Sequence, residues 1–136
     1  MSRNLDDLHP KVRPLVDAFL ASAARHGVDL LVTCTWRSPE EQAQLYAQGR
    51  SKPGKIVTNA KPGQSMHNNV SAAGHPASLA IDVVPLLHGK PVWTATDPIW
   101  AQVGELGEAA GLEWAGTWRR FRELPHFQHP QAQALR

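Results

Sequence analysis

The chain has 136 residues, enough for one domain with a hydrophobic core of its own. It is 42% hydrophobic and 19% charged with a formal net charge of +2, which excludes a disordered chain and is too weakly basic to argue for a nucleic-acid binder. A single cysteine, Cys34, excludes an internal disulfide and a thiolate-rich metal site.

The N-terminal residues MSRNLDDLHP lack the basic-then-apolar pattern of a secretory leader. No apolar run approaches the roughly 18 residues of a membrane span. The expected product is therefore made in the cytoplasm without a signal peptide and without stable membrane insertion. Val12, Leu15, Val16, Phe19, Leu20 and Ala23 recur at three- and four-residue steps and predict an amphipathic helix. Pro14 would clash with the carbonyl four residues earlier if that helix opened at Pro10. The helix is expected to start near Pro14, with Pro10 in a separate turn and Gly27 as terminator. Asp29 to Thr35 reads as a short buried strand, and Cys34 within it as a buried, inert thiol.

Ser38-Pro39-Glu40-Glu41 carries an N-cap, a proline at the first helical position and a capping-box glutamate, so a second helix follows and stops at Gly49. Arg37 lies at the junction of strand and helix, where a scaffold aims side chains into clefts. Residues 50–66 form a long connection with two Pro-Gly turns, of the kind that lines sites. Ala80 to Val84 reads as a strand, and His88-Gly89-Lys90 as a turn into Pro91-Val92-Trp93, together a hairpin. Asp97-Pro98 opens a third helix with a buried stripe of Ile99, Val103, Leu106 and Ala110, closed by Gly111. Leu112 to Trp114 and His126 to Gln128 complete the list of strands. The fold class is α+β, a small, mostly antiparallel sheet packed with about three helices.

Asp82 is the most informative residue. A carboxylate among Ala80, Ile81, Val83 and Val84 is costly to bury unless it is paired with an arginine or bound to a metal. By alternation it shares a face with Ala80 and Val84. His67 follows a glycine-containing turn, and Glu123 precedes His126 by three residues with Pro125 between them. Histidines with one carboxylate suit a mononuclear zinc site, and a second carboxylate off the metal suits a general base.

The run Val57 to Asn68, VTNAKPGQSMHN, together with Ala80-Ile81-Asp82 and Glu123-Leu124-Pro125-His126, resembles the VanY/LAS-type zinc peptidases. That family comprises D-alanyl-D-alanine carboxypeptidases, D-alanyl-D-alanine dipeptidases and the L-alanyl-D-glutamate endopeptidases of phage endolysins. Its signature is Ser-x-His, then Ala-x-Asp, then an acid three residues before a histidine. The stretches Thr35 to Arg50 and Gly111 to Phe121 resemble the family as well, and the endolysin-type branch is the most similar.

The resemblance implies a LAS/hedgehog-like zinc site in a cleft on the sheet, with residues 1–136 as one catalytic domain and no separate cell-wall-binding domain. It implies Zn²⁺ held by His67, Asp82 and His126, with Glu123 as general base and Arg37 stabilising the oxyanion. Ser65 would orient substrate, or else serve as a turn residue. The implied substrate is the stem peptide of peptidoglycan, cut first at the L-alanyl–D-glutamate bond. A D-alanyl-D-alanine carboxypeptidase is the alternative, and a non-catalytic zinc-containing wall-binding module is the alternative of another class. A monomer is expected, acting on the cell wall after membrane permeabilisation or release, in a bacteriolytic phage or prophage setting.

One spacing departs from the short form of the family, which places its first histidine seven residues before the aspartate. Here His75 has that spacing, and His67 lies fifteen before Asp82. Either His67 is the ligand and residues 69–79 contain an inserted loop, or His75 is the ligand and the SMHN match is accidental. The upstream context, including Ser65, favours His67. His129 is left outside the site, since two-residue alternation turns it away from His126.

Overall fold

The computed structural model describes all residues 1–136. Helix α1, Arg13–Arg25, begins one residue before Pro14, and Pro10 lies in a preceding turn. The helix ends in a Schellman motif. Gly27, at φ +73°, donates to the Ala24 carbonyl, and Val28 donates to that of Ala23. Strand β1 spans Asp29–Cys34. Helix α2, Pro39–Ala47, opens with the expected capping box: Ser38 Oγ accepts from the Glu41 amide, and Glu41 Oε1 accepts from the Ser38 amide, both at 3.1 Å.

Strand β2 runs Ala80–Leu87 and turns through His88 and Gly89 into the two-residue β3, Lys90–Pro91. Both loop residues have positive φ, +52° and +77°, the conformation a two-residue hairpin needs to follow the strand twist. Helix α3, Ile99–Ala109, is started by Asp97, whose Oδ1 accepts from the Ile99 amide at 2.9 Å. Strands β4, Glu113–Trp114, and β5, His126–Gln128, follow, and a short helix α4, Ala132–Leu135, ends the chain.

The sheet is antiparallel throughout, in the order β1-β2-β5-β4, with β3 on the far half of β2. On β2, Ile81 and Val83 face a core built with Val16, Phe19 and Ala23 of α1, Val103 of α3 and Phe127 of β5. The Phe19 and Phe127 rings meet with centroids 4.7 Å apart. Asp82, between those core residues, belongs to the opposite face. β2 continues three residues past the expected Val84, through Pro85. The odd residues of β2 point their backbone groups toward β5 and β3, as in the bond from the Val83 amide to the Pro125 carbonyl. β5 has finished pairing by Pro85, whose carbonyl accepts from the Val92 amide just beyond β3, so its missing N–H interrupts no bond to β5.

Two expectations change. β1 is an edge strand, and only Cys34 in it is fully buried, with Leu31 exposed. An apolar run alone does not distinguish a central strand from an edge strand. On α3 the fully buried residues are Trp100, Val103, Gly104 and Gly107, while Ile99, Leu106 and Ala110 are half-buried at the margin of the core. The two glycines lie in the seam because the helix approaches Trp114 and Phe127 too closely for a side chain. A Cβ on Gly104 would sit 2.2 Å from Trp114 Cε3, and one on Gly107 2.3 Å from Phe127 Cε2.

Candidate active site

Three adjacent strands place Cys34, Asp82 and His126 directly opposite one another, so their side chains share one face of the sheet. Cys34 reaches this row through a bulge: Val32 pairs with Val83, and then Cys34, not Thr33, pairs with Asp82. His67 arrives from outside the sheet on a 3-10 turn, Met66–Asn68, in which the His67 amide donates to Ser65 Oγ and the Asn68 amide to the Ser65 carbonyl. That turn is tied down on two sides. The Arg37 amide donates to the His67 carbonyl, and the Leu79 amide donates to that of Met66. Asn68 Nδ2 also donates to the Arg37 carbonyl at 2.8 Å.

Both histidines have one ring nitrogen committed elsewhere. His67 Nδ1–H donates to the Thr35 carbonyl at 2.8 Å, leaving Nε2 pointed at the row. His126 Nε2–H donates to Gln128 Oε1 at 2.9 Å, leaving Nδ1 inward. The inward atoms form a nearly equilateral triangle. His67 Nε2 is 3.1 Å from Asp82 Oδ1 and 3.3 Å from His126 Nδ1, and the third side is 3.2 Å. Tetrahedral coordination with bonds of about 2.0–2.1 Å sets ligand atoms about 3.3 Å apart, so the donor set fits a zinc ion.

Electrostatics agree with a cation site. Burial opposes charge on Asp82, yet His67 and His126 beside it hold its carboxyl well below the usual carboxylate range. Burial likewise opposes protonation of His67, but Asp82 outweighs it and raises the His67 pKa. A proton on His67 thus satisfies Asp82 when no metal does. Asp82 Oδ2 also lies 3.7 Å from Arg37 Nη2, so the arginine partner expected for a buried carboxylate is present on one oxygen while the other faces the two histidines.

Arg37 projects from the β1–α2 junction and is held by Gln42, whose Oε1 accepts from Nη1 at 2.9 Å. Glu123 Oε2 lies 3.6 Å from His126 Nδ1, and burial raises its pKa. Arg37, Ser65, His67, Asp82, Glu123 and His126 line one cleft of about 750 Å³. His75 does not reach it. It is exposed at the tip of a loop that closes on itself through Ser71 and the Val70–Pro76 bridge. Cys34, His67 and Asp82 form a further donor grouping within 4.8 Å. In it, Cys34 Sγ approaches His67 Nδ1, the nitrogen committed to Thr35, and so sits beside the triangle, not on it.

Three neighbours of the site were not picked out from the sequence. Gln128 orients His126, and its i+2 position on a strand was an available signal. Gln42, fully buried, donates to the Ala60 carbonyl at 2.8 Å and ties Arg37 to the 50–66 connection; a glutamine on a helix gave no such signal. Trp118 places its ring 5.6 Å from that of His126, across a segment without regular structure.

An antiparallel sheet presenting an aspartate and a histidine, completed by a second histidine from a 3-10 turn at tetrahedral spacing and with a further carboxylate alongside, defines a candidate mononuclear metallohydrolase. Two family models match the chain, a peptidase M15 model over residues 58–129 and the VanY model over residues 6–83, both described as D-alanyl-D-alanine carboxypeptidase. The chain belongs to this peptidase family. It is 38% identical over 130 residues to the peptidoglycan L-alanyl-D-glutamate endopeptidase CwlK of Bacillus subtilis (strain 168), spanning 90% of this chain and 73% of CwlK. Among solved structures, the fold matches the Serratia marcescens L-Ala D-Glu endopeptidase ChiX with a TM-score of 0.68 and 22% identity, over 96% of this chain and 86% of ChiX. It also matches the vancomycin resistance D,D-pentapeptidase VanY in complex with Zn(II), with a TM-score of 0.63 and 16% identity, over 93% of this chain and 75% of VanY.

Proposed function

We propose that the protein is a zinc-dependent peptidase of peptidoglycan stem peptides that hydrolyses the L-alanyl–D-glutamate bond. The observation that carries this reading is the triangle of His67 Nε2, Asp82 Oδ1 and His126 Nδ1, with Glu123 beside it. The likeness to CwlK supports the bond assigned. His67, Asp82 and His126 are the zinc ligands in this reading. Bound zinc supplies a Lewis acid that acidifies water and polarises a carbonyl.

Glu123 accepts the proton of the attacking water on Oε2 and returns it to the leaving amine. Burial raises its pKa, the direction that suits a group that must both take and give a proton. Arg37 turns a fixed positive charge toward the cleft, where charge develops on the carbonyl oxygen. Gln42 and Asp82 hold that guanidinium in place, so little reorganisation accompanies the reaction. Ser65 caps the turn carrying His67 and lines the cleft; orienting substrate is its further role.

The setting follows from the same reading. A single catalytic domain acts as a monomer, binds neither nucleic acid nor bilayer, and meets the wall as a bacteriolytic, endolysin-type enzyme of phage or prophage origin after the membrane is permeabilised. No helix is long and apolar enough to cross a membrane. Digestion of purified peptidoglycan followed by mass analysis of the fragments tests the activity. Peptides with a new D-glutamate N-terminus are expected, and Glu123→Gln should keep zinc while losing about 10²–10⁴ in turnover. Release of single D-alanine residues would instead favour a carboxypeptidase, the second reading, which the description of both family models supports. Binding to wall without any zinc-dependent cleavage would leave the non-catalytic module.

A further inference from the structure

Arg37 and Arg122 are the two lysine or arginine side chains that line the cleft. They are held differently. Arg37 has an 11% exposed side chain and is committed to Gln42 and Asp82. Arg122 is exposed, and its hydrogen bond within the protein runs from Nε to the Trp118 carbonyl at 2.7 Å. None of the ion pairs of the fold includes it. That single bond fixes the guanidinium while leaving both Nη groups without an acidic partner. The anchor belongs to the wall of the site, since the Trp118 ring lies 5.6 Å from that of His126. Phe121, with φ of +48°, bends the chain between Trp118 and Glu123, and both Arg122 and Glu123 line the cleft beyond the bend. Non-glycine residues seldom adopt that conformation.

Glu123 serves the leaving amine in the reading above, on which this inference rests, and Arg122 is the exposed cation that lines the same cleft beside it in sequence. The residue on the leaving side of the scissile bond is D-glutamate linked onward through its γ-carboxyl, which leaves its α-carboxylate free and next to the scissile nitrogen. We infer that Arg122 is a specificity-determining residue that binds this α-carboxylate. With Nε engaged, the two Nη groups present the end of the fork, a geometry that pairs with both oxygens of a carboxylate. A stem peptide whose α-carboxylate is amidated to D-isoglutamine loses the charge and one acceptor, and becomes a poor substrate.

The test compares N-acetyl-L-alanyl-γ-D-glutamyl-L-lysine with its D-isoglutamine counterpart, using the zinc-loaded wild type, Arg122→Ala and, as a charge control, Arg119→Ala, an exposed arginine that does not line the cleft. The wild type should favour the free acid by about 10- to 100-fold in kcat/KM, mainly through KM. Arg122→Ala should remove most of that preference by slowing the acid far more than the amide, and Arg119→Ala should preserve it. Circular dichroism and zinc content matching the wild type show that the variant is folded. Equal cleavage of both peptides by the wild type overturns the inference, as does an equal loss on both in Arg122→Ala, or the same loss of preference in Arg119→Ala. A wild type that cleaves neither peptide overturns the peptidase reading itself, and this inference with it.

Discussion

His67 has a distinct task for each ring nitrogen. Nδ1 reads the Thr35 carbonyl and fixes the ring, while Nε2 faces Asp82 and His126. His75 has a closer sequence spacing to Asp82 but stands exposed at a loop tip, with neither constraint. His67→Ala should therefore abolish stoichiometric zinc in the purified protein, and His75→Ala should keep it. Metal analysis of the two variants checks this, and zinc retained by His67→Ala would reverse the assignment. Asp82 was legible as a residue that needed a partner, because an isolated carboxylate in an apolar strand is costly. The family motifs pointed to its histidine partners and its cost to an arginine, but that Arg37 and the histidines divide between its two oxygens was not legible, since they come from segments far from it in sequence.

Helix α3 shows the same limit at the scale of an element. Its start at Asp97-Pro98 and its end at Gly111 follow local rules and occur as expected. The end is a second Schellman motif, with Gly111 donating to Glu108 and Leu112 to Gly107. Its buried face depends on what it meets. Gly104 and Gly107 weaken a helix in isolation, yet they admit Trp114 and Phe127. Gly107→Ala should cost about 1–3 kcal/mol despite the better helix propensity of alanine, because the new Cβ collides with Phe127. Urea unfolding measures this, and a neutral or stabilising result would mean that α3 is not packed as described. Phe127 lies between His126 and Gln128 on β5, so a displaced ring also disturbs the orientation of the candidate ligand.

For the molecule as a whole, the candidate ligands join three segments: the 3-10 turn, β2 and β5. A metal there crosslinks them and stabilises the native state by mass action. Chelation should lower the melting temperature and zinc should restore it, with a gain of about 2.7 kcal/mol at free zinc of about 100 times its Kd. Calorimetry with and without chelator checks the expectation, and an unchanged melting temperature would argue against zinc at this site. Removing the metal returns the cluster to an imidazolium–carboxylate pair, in which Asp82 raises the His67 pKa against the effect of burial.

The sequence by itself determined what is written within a few residues of each position. It set the capping box at Ser38, the glycine terminators Gly27 and Gly111, a hairpin turn at His88-Gly89, the cost of Asp82 and the motifs that resemble a peptidase family. Only the tertiary structure decided which histidine faces Asp82, that a bulge brings Cys34 into the row beside it, and that β1 is an exposed edge. It also decided that Gln42, Gln128 and Trp118 support the site. The division has a physical cause. Helix caps and turns are satisfied by neighbouring backbone groups, whereas strand register, helix packing and the convergence of donor atoms depend on pairing between distant segments. That pairing is decided by the burial of the whole core.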